Sequence, residues 1–267
     1  MPKAVSVADS TISANATKMY SLHGQRFDEH VSLGKTIDNR FIELPAILKL
    51  VKSAKPKGKK LLDLGCGGGW HAREYVKLGA RVTGIDLSDS LLEIAQKRVP
   101  NASFRKMDML KLSFPRNSFD IVTSSLAMHY KDWDGWMEQV SRVLKKDGQF
   151  FFSHTNPYDD GRRRFFFHGK KFSVWGRVKD VKTGKAQVIG DYFSNPVLES
   201  DWGKGFKVRW YHATLEQIVS AITKNGFRIE QILEPKPLAK AKKLDPKRYA
   251  FTSKHPVILV FKLKNEK

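Results

Sequence analysis

The fold is decided by the stretch "LLDLGCGGGWHAREY", Leu61–Tyr75, in which an apolar run ends in an acid, opens into glycines and then turns amphipathic. Four of the five residues from Gly65 to Gly69 are glycine. The apolar run predicts a buried strand, and the amphipathic end predicts a helix after a tight turn. This arrangement brings backbone N–H groups to the carboxyl edge of a parallel sheet, where ligands bind in open α/β sheets.

The spacing of the glycines excludes two common phosphate-binding loops. The dinucleotide pattern G-x-G-x-x-G fails because Trp70 stands at its third glycine, and a P-loop fails because no Gly-Lys-Ser/Thr follows. Asp63, two residues before Gly65, repels phosphate but accepts hydrogen bonds from an ammonium group or an ordering water. Asp86 ends the next predicted strand, where a carboxylate suits the two hydroxyls of a ribose. These features predict a nucleoside ligand with a cationic tail and no pyrophosphate.

Strands and helices alternate from this stretch onward, which predicts right-handed crossovers and a parallel sheet. We predict an α/β fold with a doubly wound, mostly parallel, seven-stranded sheet (Rossmann-like), N-terminal helices and an inserted lid after the fifth strand. The helix in "WDGWMEQVSRVLKKDG" is predicted to stop at Gly148. The last strand, in "PVILVFKLK", is predicted to be antiparallel at the edge of the sheet.

The chain is predicted to divide into four parts. Residues 1–17 form a flexible polar leader, and residues 18–155 form a cofactor-binding core with N-terminal cap helices. Residues 156–210 are too long and too aromatic for a structureless loop, so we expect an inserted lid or acceptor-binding segment. Residues 211–267 return to the core sheet.

Composition and charge limit the partners. The 267 residues carry 48 Lys and Arg against 27 Asp and Glu, a net charge of +21 that attracts polyanions, although general lysine usage is an equal explanation. No apolar stretch reaches the length of a membrane span, so we expect no integral membrane association. The single cysteine, Cys66, excludes an internal disulfide and favours a reducing cytoplasm. The eight histidines show no metal-ligand spacing, so no metal is expected.

Four stretches resemble, in the correct order, the class I S-adenosylmethionine-dependent methyltransferases. They are "LLDLGCGGGW", "VTGIDLS", "MDMLKLSFPRNSFDIVTSSLAMHY" and "VLKKDGQFFFSH". The similarity is strong over residues 18–155 and points to the small-molecule branch called methyltransferase type 11. It implies S-adenosyl-L-methionine as cofactor and S-adenosyl-L-homocysteine as product.

The resemblance also implies roles for individual residues. Near the amino-acid tail of the cofactor it places Asp63, Gly65, Gly67 and Gly69. Asp86 is placed at the ribose and Leu87 against the adenine, and of the pair after the third strand, Asp108 and Met109, the first is placed at the adenine amino group. At the sulfonium end it places Ser125 and Leu126. Tyr20 and Arg40 are candidate lid contacts to the methionine carboxylate, with helix packing as the alternative for both.

Methyl transfer from a sulfonium depends mainly on alignment, and a general base is needed only when the acceptor arrives protonated. His129 follows the fourth predicted strand and is the candidate base, with Tyr130 and His154 as weaker candidates near the acceptor. His212 and the insertion's aromatic residues, Trp210 among them, are candidates for the acceptor pocket. A packing or capping role is open for each.

The expected function is methyl transfer to an oxygen, nitrogen or carbon atom of a small-molecule acceptor, with anionic and aromatic acceptors as the candidates. One alternative is an RNA methyltransferase, which the net charge favours and the lack of an appended RNA-binding module disfavours. A second alternative is a regulator that binds the cofactor without catalysis.

Overall fold

The structure is a computed structural model, and it describes residues 9–32, 37–128, 132–160, 165–167, 170–172, 176–179, 186–189, 192–193, 197–201 and 206–267. The helices are α1 (Asp9–Ser32), α2 (Leu44–Ser53), α3 (Trp70–Lys77), α4 (Asp89–Arg98), α5 (Trp133–Val143), α6 (Pro157–Asp160), α7 (Leu215–Lys224) and α8 (Pro246–Thr252), with a π-helical turn over Asp38–Glu43 and a 3₁₀ turn over Ala239–Lys243. Within the described ranges, no helix combines the length and apolar composition that crossing a bilayer requires.

The strands follow in chain order. They are β1 (Lys60–Leu64), β2 (Arg81–Asp86), β3 (Ser103–Lys106), β4 (Phe119–Ser125), β5 (Leu144–Thr155), β6 (Phe165–Phe167), β7 (Lys170–Phe172), β8 (Gly176–Lys179), β9 (Ala186–Ile189), β10 (Val197–Asp201), β11 (Lys207–Tyr211), β12 (Phe227–Leu233) and β13 (Ile258–Asn265).

Seven strands form one twisted sheet in the order β12-β13-β5-β4-β1-β2-β3. The pairs from β5 to β3 are parallel, whereas β13 runs antiparallel to both of its neighbours. The chain moves outward from β1 through β2 to β3 and then resumes at β4 on the other side of β1. The carboxyl ends of β1 and β4 therefore form the switch point at which such sheets bind ligands. The predicted doubly wound, seven-stranded sheet is confirmed.

Helices cover both faces of the sheet, and the central strand shows why. Leu62 and Leu64 of β1 pack in a cluster with α5 and α7, whereas Leu61 packs on the opposite side with α2 and α3. All three leucines are buried, as expected for a parallel strand with helices on both sides. The carboxyl edge is the part of β1 that these layers leave open to a ligand.

Local signals fix the helix starts beside the ligand edge. The Ser88 hydroxyl accepts a hydrogen bond from the Leu91 N–H, so Ser88 is the N-cap of α4. Leu91 and Ala95 face the core, and both are buried. Pro45 lies in the first turn of α2, where its missing N–H costs no helical bond.

The predicted end of α5 is wrong. The helix ends at Val143, and β5 begins at Leu144 instead of after Gly148. Leu144 is fully buried with extended backbone and is aligned with Phe119 of β4, so tertiary packing ends the helix before the glycine. The turn is made at Asp147, whose φ of 61° lies in the left-handed region.

Two other expectations differ from the structure. The last strand, β13, is antiparallel as predicted, but it lies between β5 and β12, and β12 forms the edge. Residues 9–17, which the sequence assigns to the leader, belong to α1, which is kinked at His23. The remaining domain boundaries stay predictions.

The described parts of the insertion after β5 form three antiparallel pairs: β6 with β7, β8 with β9, and β10 with β11. The last pair packs towards the N-terminal helix, because the ring of buried Phe206 lies 5.6 Å from that of Tyr20 in α1. The His23 ring stacks on the same phenylalanine at 5.1 Å. The end of the insertion and α1 therefore meet on one side of the ligand edge.

Candidate functional site

The glycine loop after β1 takes a conformation that side chains resist. Gly65, Gly67 and Gly69 have φ values of 65°, 51° and 78°. A Cβ atom at Gly65 would lie 2.5 Å from the Ala127 Cβ, so the loop packs tightly against the segment after β4. A Cβ atom at Gly67 would meet no atom within 4 Å, so this part of the loop faces open space.

Asp86 at the end of β2 is held by backbone groups. Its Oδ2 accepts a hydrogen bond from the Gly67 N–H and its Oδ1 accepts one from the Ser88 N–H, each at 2.9 Å. Burial raises the pKa of Asp86 above its usual value, although these N–H groups oppose the rise. Each oxygen keeps a further lone pair, so the carboxylate can still accept hydrogen bonds from a diol.

A cleft, here called the central cleft, opens at the carboxyl ends of β1, β2 and β4 beneath α1. The predicted cofactor residues that line it are Tyr20, Gly65, Gly67, Asp86, Leu87, Asp108, Met109, Ser125 and Leu126. The structure thus brings nine residues from separate parts of the sequence to one cavity.

Three predicted cofactor residues are not in the lining. Gly69 turns towards α4, where a Cβ would lie 3.1 Å from the Ala95 Cα. Asp63 is buried beneath the loop, and its Oδ1 accepts a hydrogen bond from the Thr123 hydroxyl at 2.9 Å. Arg40 is exposed, and its guanidinium lies over the Phe41 ring at 5.3 Å.

The predicted acceptor residues fall into two groups. His129 and Tyr130 lie outside the described residues. His154, His212 and Trp210 are described and buried, but none lines the central cleft. The His154 ring packs 5.1 Å from that of Trp133. Their acceptor-binding roles stay predictions.

Sequence reasoning missed a buried polar cluster under the glycine loop. His71 Nε2 lies 2.7 Å from Glu43 Oε2, and the other Glu43 oxygen accepts a hydrogen bond from the Ser153 hydroxyl at 2.8 Å. Ser153 Oγ in turn accepts the Leu126 N–H at 3.0 Å. Leu126 has a φ of 52°, so this network holds the strained segment after β4 that lines the central cleft.

The cluster shifts the titration of its members. Burial raises the pKa of Asp63 to about 6, while His71 and the Thr123 hydroxyl oppose the rise. Burial lowers the pKa of His71, but nearby carboxylates, with Glu43 first among them, raise it by more. The histidine therefore holds a proton above its ordinary range, between two buried acids.

The N-terminal helix α1 covers the central cleft, and it adds lining residues that were not predicted from the sequence. Thr17, Phe27 and Asp28 of α1 join the lining. Both oxygens of Asp28 accept hydrogen bonds from the Arg98 guanidinium of α4, at 2.7 and 2.6 Å. The same guanidinium lies 4.3 Å from the centre of the Trp70 ring and donates to the Gly68 carbonyl, so it ties the roof to the glycine loop.

Comparison with known proteins identifies the family. Residues 62–152 match the model of the family described as "Methyltransferase domain". An S-adenosylmethionine-dependent methyltransferase from Mesorhizobium loti has the same fold, with a TM-score of 0.67 and 28% sequence identity, over 86% of this chain and 98% of that one. The chain belongs to the class I S-adenosylmethionine-dependent methyltransferases. The match confirms the family and the cofactor implied by the four sequence stretches.

Two curated relatives extend over most of this methyltransferase. An uncharacterized protein from Haemophilus influenzae is 32% identical over 211 residues, which are 74% of this chain and 77% of the relative. The malonyl-[acyl-carrier protein] O-methyltransferase of Legionella pneumophila is 24% identical over 228 residues, which are 82% of this chain and 75% of the relative.

The central cleft of the methyltransferase fits an adenosyl sulfonium. The open face at Gly67 allows close approach to the backbone, and Asp86 presents acceptors to a diol. Asp86 and Asp108 put negative charge in the wall, while the charge of Asp28 is paired with Arg98, and this disfavours a pyrophosphate and favours a cationic ligand. Among the described residues, no cluster of three His, Cys, Asp or Glu side chains could hold a metal ion.

Proposed function

We propose that this methyltransferase transfers the methyl group of S-adenosylmethionine to a small-molecule acceptor, with oxygen as the favoured acceptor atom. The observation that carries the proposal is the roof of α1 over the central cleft, tied down by Asp28 and Arg98. A roofed cavity suits a small acceptor better than a polymer. The Legionella relative is named as an O-methyltransferase, which supports oxygen.

In this proposal each wall of the central cleft holds one part of the cofactor. Asp86 accepts the ribose hydroxyls, and Leu87 packs on the adenine whose amino group Asp108 accepts. Gly65 and Gly67 lie along the amino-acid tail. These assignments are supported by the positions of the residues in one cavity and by the acceptor oxygens of the two acids.

The residues of the chain supply alignment and exclusion of water. The bound cofactor supplies a methyl group on a sulfonium, which is a good leaving group. Ser125 and Leu126 line the cleft where the segment after β4 begins, and α1 covers the opposite side. Holding the reactants in line removes up to about 7–11 kcal/mol of the barrier, so such a site works without a strong base.

His129 remains the proposed base for acceptors that arrive protonated, because it comes four positions after the end of β4 in the sequence. We expect His129→Ala to reduce turnover most at a pH where the acceptor is protonated. Turnover that is unaltered between about pH 6 and pH 9 would remove His129 from this role.

A second candidate, an RNA methyltransferase, is favoured by the net charge of +21. One experiment separates the two. The protein is incubated with methyl-labelled S-adenosylmethionine and either a small-metabolite fraction or total RNA. We expect label in the metabolite fraction and none in RNA. The Asp86→Ala variant is the control for background transfer. Label confined to RNA would overturn the small-molecule proposal.

A further inference from the structure

The central cleft holds an uneven set of charges. Among the described residues that line it, three are acidic, namely Asp28, Asp86 and Asp108, and His71 alone has a basic side chain. The amino-acid end of the cofactor is zwitterionic, so its carboxylate needs a donor or a positive charge. Thr17 and Asn39 offer neutral donors, and His71 is the one described side chain of the lining that can bring a positive charge to that carboxylate.

His71 is placed for this role by its position in α3. It is the second residue of that helix, directly after the glycine loop, and its side chain is 17% exposed. Its Nε2 is engaged by Glu43, and its Nδ1 makes no hydrogen bond to any residue within the described ranges. The imidazole thus has one nitrogen fixed and one available.

Glu43 fixes the imidazole rigidly because the carboxylate is fully buried and both of its oxygens are used. A buried carboxylate without a positive partner is costly, so Glu43 favours the protonated form of His71. The charged groups that face His71 are Glu43 from the π-helical turn, Asp63 from β1 and Glu74 from α3 itself. All three are acids, and all three favour the imidazolium.

We propose that His71, held as a cation by Glu43, binds the carboxylate of the cofactor's amino-acid end. The inference rests on the proposed function, since it assigns one more contact in the same cleft. His71 lines the central cleft, whereas Arg40, the contact predicted from the sequence, is exposed and lies over the Phe41 ring. Asp63, buried beneath the glycine loop, adds negative charge behind the wall that favours the ammonium group, and its Oδ2 has no hydrogen-bond partner among the described residues.

Calorimetry with three ligands tests the proposal: S-adenosylhomocysteine, its analogue without the carboxylate, and 5′-methylthioadenosine, which lacks the amino-acid end. We expect the wild-type protein to prefer S-adenosylhomocysteine over the decarboxylated analogue by at least about tenfold, the scale of a charge-assisted hydrogen bond. His71→Ala abolishes this preference and leaves the affinity for 5′-methylthioadenosine within about twofold. His255→Ala, at a histidine that packs on Phe251, is the matched control and keeps the preference.

Several outcomes would overturn the proposal. A preference that survives in His71→Ala excludes the contact, and an equal loss for all three ligands shows a purely structural role. Binding of 5′-methylthioadenosine without any preference in the wild type overturns this inference and leaves the proposed function intact. Failure of the wild type to bind all three ligands removes the proposed function and the inference with it.

A measurement on the wild type guards against a variant that does not fold. The preference is expected at acidic pH, where His71 is a cation, and is lost as the pH rises through the raised pKa of His71. In Glu43→Gln the same loss occurs at lower pH, because the carboxylate that favours the proton is gone. A preference that does not change with pH, or that is lost at the same pH in the wild type and in Glu43→Gln, contradicts the proposal.

Discussion

Asp86 and Asp63 end or nearly end neighbouring strands of the sheet, yet they are held in different ways. Asp86 is met by two backbone N–H groups, that of Ser88 in the turn after its own strand and that of Gly67 in the loop after β1. Asp63 is met by the Thr123 hydroxyl from another strand, and its second oxygen has no partner among the described residues. Asp86 on the ribose side is therefore held by backbone N–H groups, whereas Asp63 on the amino-acid side is held by a side chain from another strand.

Because of this difference, ionisation of the two acids is opposed to different extents in the folded protein. Burial raises the pKa of Asp86, but three backbone N–H groups oppose this rise whether or not a ligand is bound. The Asp63 carboxylate lies in a buried cluster with Glu43 and His71, where the pKa of Asp63 rises to about 6. We infer that the amino-acid side stores unfavourable electrostatic energy that a cationic ligand relieves.

The largest effect is expected from Asp86→Ala. The change removes the proposed acceptor of the ribose hydroxyls and leaves the N–H groups of Gly67 and Ser88 without their partner. We expect S-adenosylhomocysteine binding to weaken by about 2–3 kcal/mol, or roughly 30- to 150-fold, by calorimetry. Asp89→Ala, at an exposed acid paired with Lys106 in the same region, is the control and keeps its affinity. Unchanged affinity in Asp86→Ala would remove it from the ribose role.

Asp63→Asn is expected to raise the stability of the ligand-free protein at neutral pH. The pKa of Asp63 is raised from 3.8 to about 6 in the folded protein, so its ionisation lowers the free energy of unfolding at neutral pH. This loss of stability disappears as the pH falls below about 4, because the carboxyl is then protonated in the folded protein. We expect a gain of about 2 kcal/mol in the free energy of unfolding at pH 7 and none at pH 4, measured by urea denaturation.

Asp120→Asn is the control, because the opposite change in the free energy of unfolding is expected for it. Lys145 and the Lys60 N–H hold the pKa of Asp120 below its usual value, against the effect of burial. The stability that Asp120 contributes is present at neutral pH and is lost as the pH falls through the lowered pKa. This variant should therefore lose stability at pH 7. A stability gain in both variants, or in neither, would refute the electrostatic difference between the two acids.

Asp63→Asn is also expected to weaken cofactor binding, because it removes a buried negative charge beneath the glycine loop that favours an ammonium group in the cleft. We expect about tenfold weaker binding of S-adenosylhomocysteine and no change for 5′-methylthioadenosine, which has no ammonium group. Equal loss for both ligands would show that Asp63 acts on the adenosine side instead.

A smaller effect is expected at the roof of the central cleft. Arg98→Ala removes the pairing with Asp28 and frees α1, so binding of S-adenosylhomocysteine weakens by about fivefold and amide exchange in α1 becomes faster. Arg73→Ala is the matched control, since Arg73 also lies 4.3 Å from the Trp70 ring centre but pairs with Glu74 instead of α1. Equal effects of the two variants would assign the role to Trp70 packing and not to the roof.

The ribose side could be predicted from the sequence because its signals are local. Asp86 and the N-cap Ser88 stand two residues apart, at the end of one strand and the start of one helix. Pattern and capping rules apply at that range.

The amino-acid side could not be predicted, because tertiary packing brings its parts together. Glu43 meets His71 across 28 positions and Ser153 across 110, and nothing in "FIELPA" marks Glu43 as a buried ion. The Arg98 and Asp28 pair spans 70 positions. The early end of α5 has the same origin, since Leu144 leaves the helix to align with Phe119 in the sheet.

A crystal structure of the complex with S-adenosylhomocysteine tests the central claim most directly. The account predicts the ribose hydroxyls within hydrogen-bond distance of Asp86, with the amino-acid end running along Gly65 and Gly67 towards His71. A product molecule bound elsewhere, or a ribose turned away from Asp86 with the adenine in the glycine loop, would contradict it.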